Sequence, residues 1–158
     1  MEKEKKRDYQ LRISQANKAE LIVILYEIAL DYLDEAVDSH KNGDINGYKD
    51  NLKKLRDCIE EMVNNLHFEY DLAKKLKEIY LYMKKVIRED IISGNTDNLD
   101  SVRKTLQSLH DSYEQVKGTD KSSPVMANTQ AVLTGMTYSK NKVLNELTQD
   151  CTNRGFRV

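Results

Sequence analysis

The sequence has little of what interrupts a helix and little of what builds a reactive centre. Its 158 residues include one proline, six glycines, three histidines and no tryptophan. Proline and glycine are the residues that most often end helices, so their scarcity favours long helices. The longest apolar run, Leu21–Tyr26, has six residues, whereas a membrane-spanning helix needs about 20. We therefore expect a soluble, all-α protein that does not insert into a membrane.

Cysteine usage, net charge and the N-terminal sequence indicate where the protein is located and which partners it does not bind. Cys58 and Cys151 lie far apart and form no CxxC motif, which favours two reduced thiols in a cytosolic protein, although a single disulfide stays open. The net charge of −1 provides no excess of positive charge for binding nucleic acid or an anionic membrane. Residues 1–10 are mostly charged with no apolar segment behind them, unlike a signal peptide. These features predict a cytoplasmic location and no nucleic-acid partner.

No arrangement of side chains points to catalysis. None of the three histidines, His40, His67 and His110, follows a glutamate by three positions, so the di-iron motif of helical bundles is absent. HExxH, zinc-ligand spacing and phosphate-binding glycine loops are absent as well. The sequence therefore predicts a protein that is not an enzyme, with no catalytic residue, cofactor or metal ion.

The first predicted helix spans residues 18–41 and has apolar residues on more than one side. Asn17 is a suitable N-cap, and Gly43 is suited to ending the helix. Its inner face carries Leu21, Ile22, Leu25, Ile28, Ala29, Tyr32, Leu33, Ala36 and Val37. Four further apolar residues lie outside that face: Val23, Ile24, Tyr26 and Leu30.

Helical periodicity continues through three more segments. Asp44 can cap a helix whose apolar face extends from Tyr48 to Leu66, and the pattern runs on to Ile87 without glycine or proline. The sequence allows one long helix here, but we expect a break at residues 67–70. A fourth helix follows, with Leu99 to Val116 inward. Four helices with short connections predict an antiparallel up-down four-helix bundle.

The remaining segments predict three parts: a mobile N-terminal arm at residues 1–17, the bundle at 18–117, and a linker with a C-terminal extension at 118–158. The extension has apolar residues that fit short helices around 125–133 and 139–149, so the fold includes a partly helical C-terminal tail. Two interpretations of this tail stay open. It packs back along the bundle, or it is a disordered extension.

The apolar surplus of the first helix recurs at Ile79–Met83, which reads IYLYM. One explanation is structural, since a bundle helix touches two neighbours and needs a wide apolar arc. The other is a surface groove that accepts an amphipathic helix. Tyrosine and methionine suit such a groove because they combine apolar area with a polar tip or a flexible thioether.

Several of these motifs together resemble the FliS-type flagellar export chaperones. They are an early Tyr9 and Ile13, then Glu20–Leu30 (ELIVILYEIAL), Leu76–Met83 (LKEIYLYM) and Leu109–Tyr113 (LHDSY), in that order. The chain departs from the family in having no proline at the first position of the helix that begins at residue 18. Tyr113 also stands where tryptophan is common, and the chain continues past the usual family length after residue 118.

The resemblance implies a cytoplasmic chaperone for the C-terminal segment of flagellin, which is disordered in the monomer. Such a chaperone prevents premature polymerisation and delivers its client to the cytoplasmic domain of the export gate in the flagellar type III export apparatus. The family implies that Tyr9 and Ile13 form a movable N-terminal cover. We expect the flagellin-binding groove to be formed by Ile22, Tyr26, Tyr82 and Met83.

One alternative function uses the same apolar surplus. A non-enzymatic helical scaffold or homodimeric interaction protein would bury that surface against a second copy. The chaperone hypothesis instead predicts a monomer or weak homodimer that forms a stoichiometric complex with flagellin.

Overall fold

The computed structural model describes residues 3–66, 71–119 and 124, which form five α-helices and no strand. The all-α class is therefore confirmed within these ranges. The helices are α1 (Lys3–Gln15), α2 (Lys18–Lys41), α3 (Ile45–Asn64), α4 (Asp71–Ser93) and α5 (Leu99–Lys117). Four of them correspond to the predicted helices, whereas α1 was not predicted. The predicted helices at 125–133 and 139–149 lie outside the described residues.

The predicted caps of α2 and α3 are confirmed. Asn17 and Glu20 form a reciprocal capping box, in which each side chain accepts a hydrogen bond of 2.9 Å from the other residue's backbone N–H. Gly43 follows α2 with φ +75°, a left-handed conformation that glycine adopts without steric penalty. Asp44 then accepts from the Gly47 N–H at 2.9 Å at the start of α3. Local sequence thus fixes where α2 ends and α3 begins.

The predicted interruption between α3 and α4 is also confirmed. α3 ends at Asn64 and α4 begins at Asp71, and the two helices pack against each other. Lys84 of α4 forms an ion pair with Glu60 of α3. In a single continuous helix, the apolar face of the α3 segment could not pack against the apolar face of the α4 segment.

Helix α2 is the central element of the fold. It packs against α1, α3 and α5, while α4 packs against α3 and α5. Helix α2 is therefore surrounded on several sides, which accounts for its apolar surplus. Three of the four residues outside the predicted inner face, Val23, Ile24 and Tyr26, are buried, and the fourth, Leu30, is half-buried.

Candidate functional site

Helix α1 covers one side of α2 with two apolar side chains. Tyr9 and Ile13, one helical turn apart, are both buried and belong to the main core cluster. The rest of α1 is largely charged and exposed. A helix of 13 residues is marginal in water without tertiary contacts. Its position therefore depends on how it docks on α2.

Polar contacts complete the docking of α1. The Arg12 guanidinium donates two hydrogen bonds to the Glu27 carboxylate, at 2.5 and 2.8 Å. The Tyr9 hydroxyl donates to Asp31 at 2.7 Å, and the Lys5 ammonium donates to the same carboxylate at 2.6 Å. Burial and then the Asp31 carboxylate raise the pKa of Tyr9, so its hydroxyl stays a donor. Two acids of α2 thus hold three residues of α1.

Three tyrosines meet inside the bundle. The hydroxyls of Tyr26 and Tyr80 share a hydrogen bond, and the rings of Tyr26 and Tyr113 lie 5.6 Å apart with a 44° tilt. Burial raises the pKa of Tyr80 to about 12 and also raises the pKa of Tyr26. Both hydroxyls therefore stay neutral at physiological pH. The cluster joins α2, α4 and α5.

A cavity of about 220 Å³ opens beside this cluster, where α3 ends and α4 begins. We call it the end cavity. Among the residues that the structure describes, its lining is apolar or aromatic except for one asparagine: Ile22, Met62, Asn65, Leu66, Leu72, Ala73, Leu76, Tyr80 and Tyr113. The Asn65 amide already donates to the Glu61 carbonyl at 2.7 Å. The end cavity therefore suits an apolar side chain.

Helix α4 continues the apolar surface outward from the end cavity. Leu72, Ile79 and Tyr82 are 66%, 36% and 59% exposed, and their spacing of seven and three residues places them on one side of the helix. We call these three residues the α4 stripe. Leu72 belongs to both the stripe and the cavity lining. The exposed Lys75 lies on the same side of α4 between Leu72 and Ile79. The end cavity and the α4 stripe therefore form an apolar surface that one lysine interrupts.

A second cavity, of about 320 Å³, lies between α1, α2 and the end of α5. It is more polar than the end cavity and is lined by Arg12, Gln15, Ala16, Glu20, Val23, Ile24 and Lys117. It places the C-terminal end of α5 beside the turn that joins α1 to α2.

The structure separates the predicted site residues. Ile22 lines the end cavity, and Tyr82 lies exposed in the α4 stripe. Tyr26 and Met83 are core residues, with 0% and 1% exposure, so neither presents side-chain surface to a partner in this conformation. Tyr9 and Ile13 belong to α1 and are buried where α1 packs against α2. Client contact through any of these residues stays a prediction.

Sequence reasoning missed part of this surface. Met62 and Leu66 were assigned to the inner face of α3, and Tyr113 to the inner face of α5, yet all three line the end cavity. Leu72 was not singled out, because it falls one residue before the inner position Ala73.

The structure also bears on Cys58, on metal binding and on membrane-spanning helices. The Cys58 side chain is fully buried. Within residues 3–66 and 71–119, no group of three or more His, Cys, Asp or Glu residues is placed to hold a metal ion. No helix in the described part of the chain is long and apolar enough to cross a membrane.

Comparison with known proteins gives one family. The family model described as flagellar protein FliS matches residues 1–121, a range that includes all five helices. No curated protein matches the chain.

Proposed function

Since the chain belongs to the FliS family of flagellar export chaperones, we propose that it binds the disordered C-terminal segment of flagellin. Bound in this way, the segment cannot take part in premature polymerisation. The chaperone then delivers flagellin to the cytoplasmic domain of the flagellar type III export gate. This function places the protein in the cytoplasm as a monomer or weak homodimer.

The observation that carries the proposal is the apolar surface formed by the end cavity and the α4 stripe. An amphipathic client helix presents apolar residues three, four and seven positions apart, and a long apolar groove accepts that spacing. The cavity offers a pocket for one anchoring side chain, and Tyr82 offers a large amphipathic contact. Among the sequence-predicted contacts, Ile22 and Tyr82 are therefore the most accessible to such a helix.

Helix α1 acts as the movable cover in this proposal. It joins the bundle at residue 18 and is held by two buried side chains and a small set of ion pairs and hydrogen bonds. The arm of residues 1–17 can therefore leave while the bundle of residues 18–117 keeps its core. Its departure would uncover apolar side chains of α2, including Ile24.

The bundle itself is proposed to be antiparallel and up-down. Supporting this, as the contacts move later along one helix, their partners in the next helix come earlier in the sequence. The pairs are His40 with Tyr48, Tyr32 with Lys54, Glu60 with Lys84, and Tyr48 with the Asp90 backbone. The pairs between α2 and α5 behave in the same way: Tyr26 with Tyr113 and Asp34 with Arg103.

The energetics suit a chaperone that must release its client. A disordered segment that becomes helical on binding spends part of its interaction energy on ordering. Affinity therefore stays moderate even where the contact area is large, which permits transfer at the export gate.

Co-expression with flagellin tests the proposal. We expect a discrete complex of the two proteins on size-exclusion chromatography. Tyr82→Ala should weaken that complex, while Leu81→Ala should not, because Leu81 is also exposed but lies on another side of α4. A complex that forms equally with both variants would contradict the assignment of the α4 stripe.

Folding controls accompany this experiment. Leu55 is fully buried, so Leu55→Ala should lower the free energy of unfolding by about 2–5 kcal/mol. Tyr82→Ala should lower it by less, because most of the Tyr82 side chain is already exposed. A comparable loss of stability would mean that Tyr82 supports the core and that its effect on the complex is indirect.

A further inference from the structure

The tail beyond α5 carries a continuous apolar face in its sequence. At 3.6 residues per turn, its apolar residues fall within an arc of about 120° on one helix. They are Val132, Leu133, Met136, Val143, Leu144 and Leu147. Lys140 is the charged residue in this arc, and a lysine can lay its aliphatic stem along apolar surface while its ammonium stays in water. The apolar residues of the two predicted short helices thus share one face when the two align as a single tail helix, and that face needs a surface to cover.

The tail begins beside the end cavity. Helix α5 ends at Lys117, and Tyr113, one turn earlier, lines that cavity. Residues 118–124 form a linker of small and polar residues that spans up to about 24 Å when extended. This length allows the chain to reverse direction and reach Leu72 on α4. Tethering also gives the tail a high effective concentration at this end of its own bundle.

We propose that the tail helix packs on its own bundle over the end cavity and the α4 stripe, where it competes with the client. An apolar cavity of about 150 Å³ accepts a benzene-sized molecule, so the end cavity, at about 220 Å³, accepts an aliphatic side chain such as Met136. The rest of the apolar face then covers Ile79 and Tyr82. Docking of the tail is independent of the proposed function, and only the competition rests on it.

Methionine methyl NMR on the full chain tests the docking. The chain has five methionines, of which Met62 lines the end cavity, Met83 is buried in the core, and Met136 lies in the tail face. Val143→Asp places a charge in the apolar face of the tail. The matched control Asn141→Asp adds the same charge on the opposite side of the predicted helix.

Val143→Asp should shift the methyl resonances of Met62 and Met136 and leave Met83 in place, which also confirms that the bundle stays folded. Asn141→Asp should leave all three unchanged. The docking is overturned if Met136 of the unaltered chain already gives the narrow resonance of an unstructured methionine, or if Val143→Asp does not move Met62. A Met62 resonance that moves on dilution would indicate a second copy's tail and would overturn intramolecular docking.

A titration with a flagellin C-terminal peptide tests the competition. If the docked form makes up nine-tenths of the molecules, Val143→Asp should bind the peptide about tenfold more tightly than the unaltered chain. Equal affinity would overturn the competition. If neither chain binds the peptide, the proposed function fails, while the docking is still decided by the Met62 and Met136 resonances.

Discussion

Glu61 is a buried carboxylate whose lost hydration is only partly replaced by hydrogen bonds within the bundle. It is 3% exposed, and its Oε2 atom has no hydrogen-bond partner in the part of the chain that the structure describes. Burial raises the pKa of Glu61 above its ordinary value of 4.5, because the charged form loses hydration. The folded state therefore favours the protonated carboxyl, and ionisation of this group at neutral pH opposes folding.

The stability of the protein should consequently depend on the charge of Glu61. Its contribution is most favourable below about pH 4.5 and is lost as pH rises through the higher pKa of the folded state. We expect Glu61→Gln to raise the free energy of unfolding at pH 7 by about 1 kcal/mol and to flatten its pH dependence. Urea unfolding between pH 4 and pH 8 measures both effects.

The matched control is Glu78→Gln, since Glu78 lies on the exposed side of α4. It should leave the pH dependence of unfolding as it is in the unaltered chain. A pH dependence that Glu61→Gln and Glu78→Gln alter equally would show that Glu61 is hydrated in solution.

At the scale of the elements, α1 is the helix that the sequence did not reveal. Its apolar periodicity consists of little more than Tyr9 and Ile13, so charged residues dominate the pattern. The acids that pair with these charges, Glu27 and Asp31, lie on the next helix and cannot be matched to them from local spacing. Helices α2 and α3 were predicted closely because their caps and glycine stop are local signals.

The ion pair between Arg12 and Glu27 should control how firmly α1 stays docked. Arg12→Ala removes two hydrogen bonds, and because both side chains are partly exposed we expect a loss of about 0.5–1 kcal/mol. Amide exchange in α1 should accelerate roughly twofold to fivefold, while exchange in α3 and α4 stays unchanged. Flagellin affinity should rise if α1 covers the client surface.

Arg7→Ala serves as the control for this prediction, because Arg7 is exposed on α1 and the substitution removes the same charge. It should change neither exchange in α1 nor flagellin affinity. If Arg12→Ala accelerates exchange in α1 but leaves flagellin affinity unchanged, α1 is a docked helix and not a cover.

For the whole molecule, the sequence predicted the all-α class and the four bundle segments but not how their apolar sides are used. Tyr26 and Tyr82 illustrate the limit. Both belong to apolar runs and looked alike as groove residues, yet Tyr26 meets Tyr80 and Tyr113 inside the bundle while Tyr82 is exposed. Which side of a helix becomes core depends on where its neighbours lie, and that depends on contacts between residues distant in sequence.

Calorimetric titration with the C-terminal flagellin peptide at several temperatures decides whether this bundle binds flagellin as we propose. We expect saturable binding at one peptide per chain, with a negative heat-capacity change because apolar surface is buried and the peptide folds as it binds. If the chain binds no flagellin of its own cell and instead elutes as a constitutive dimer, the chaperone function is wrong and the protein is a self-associating scaffold.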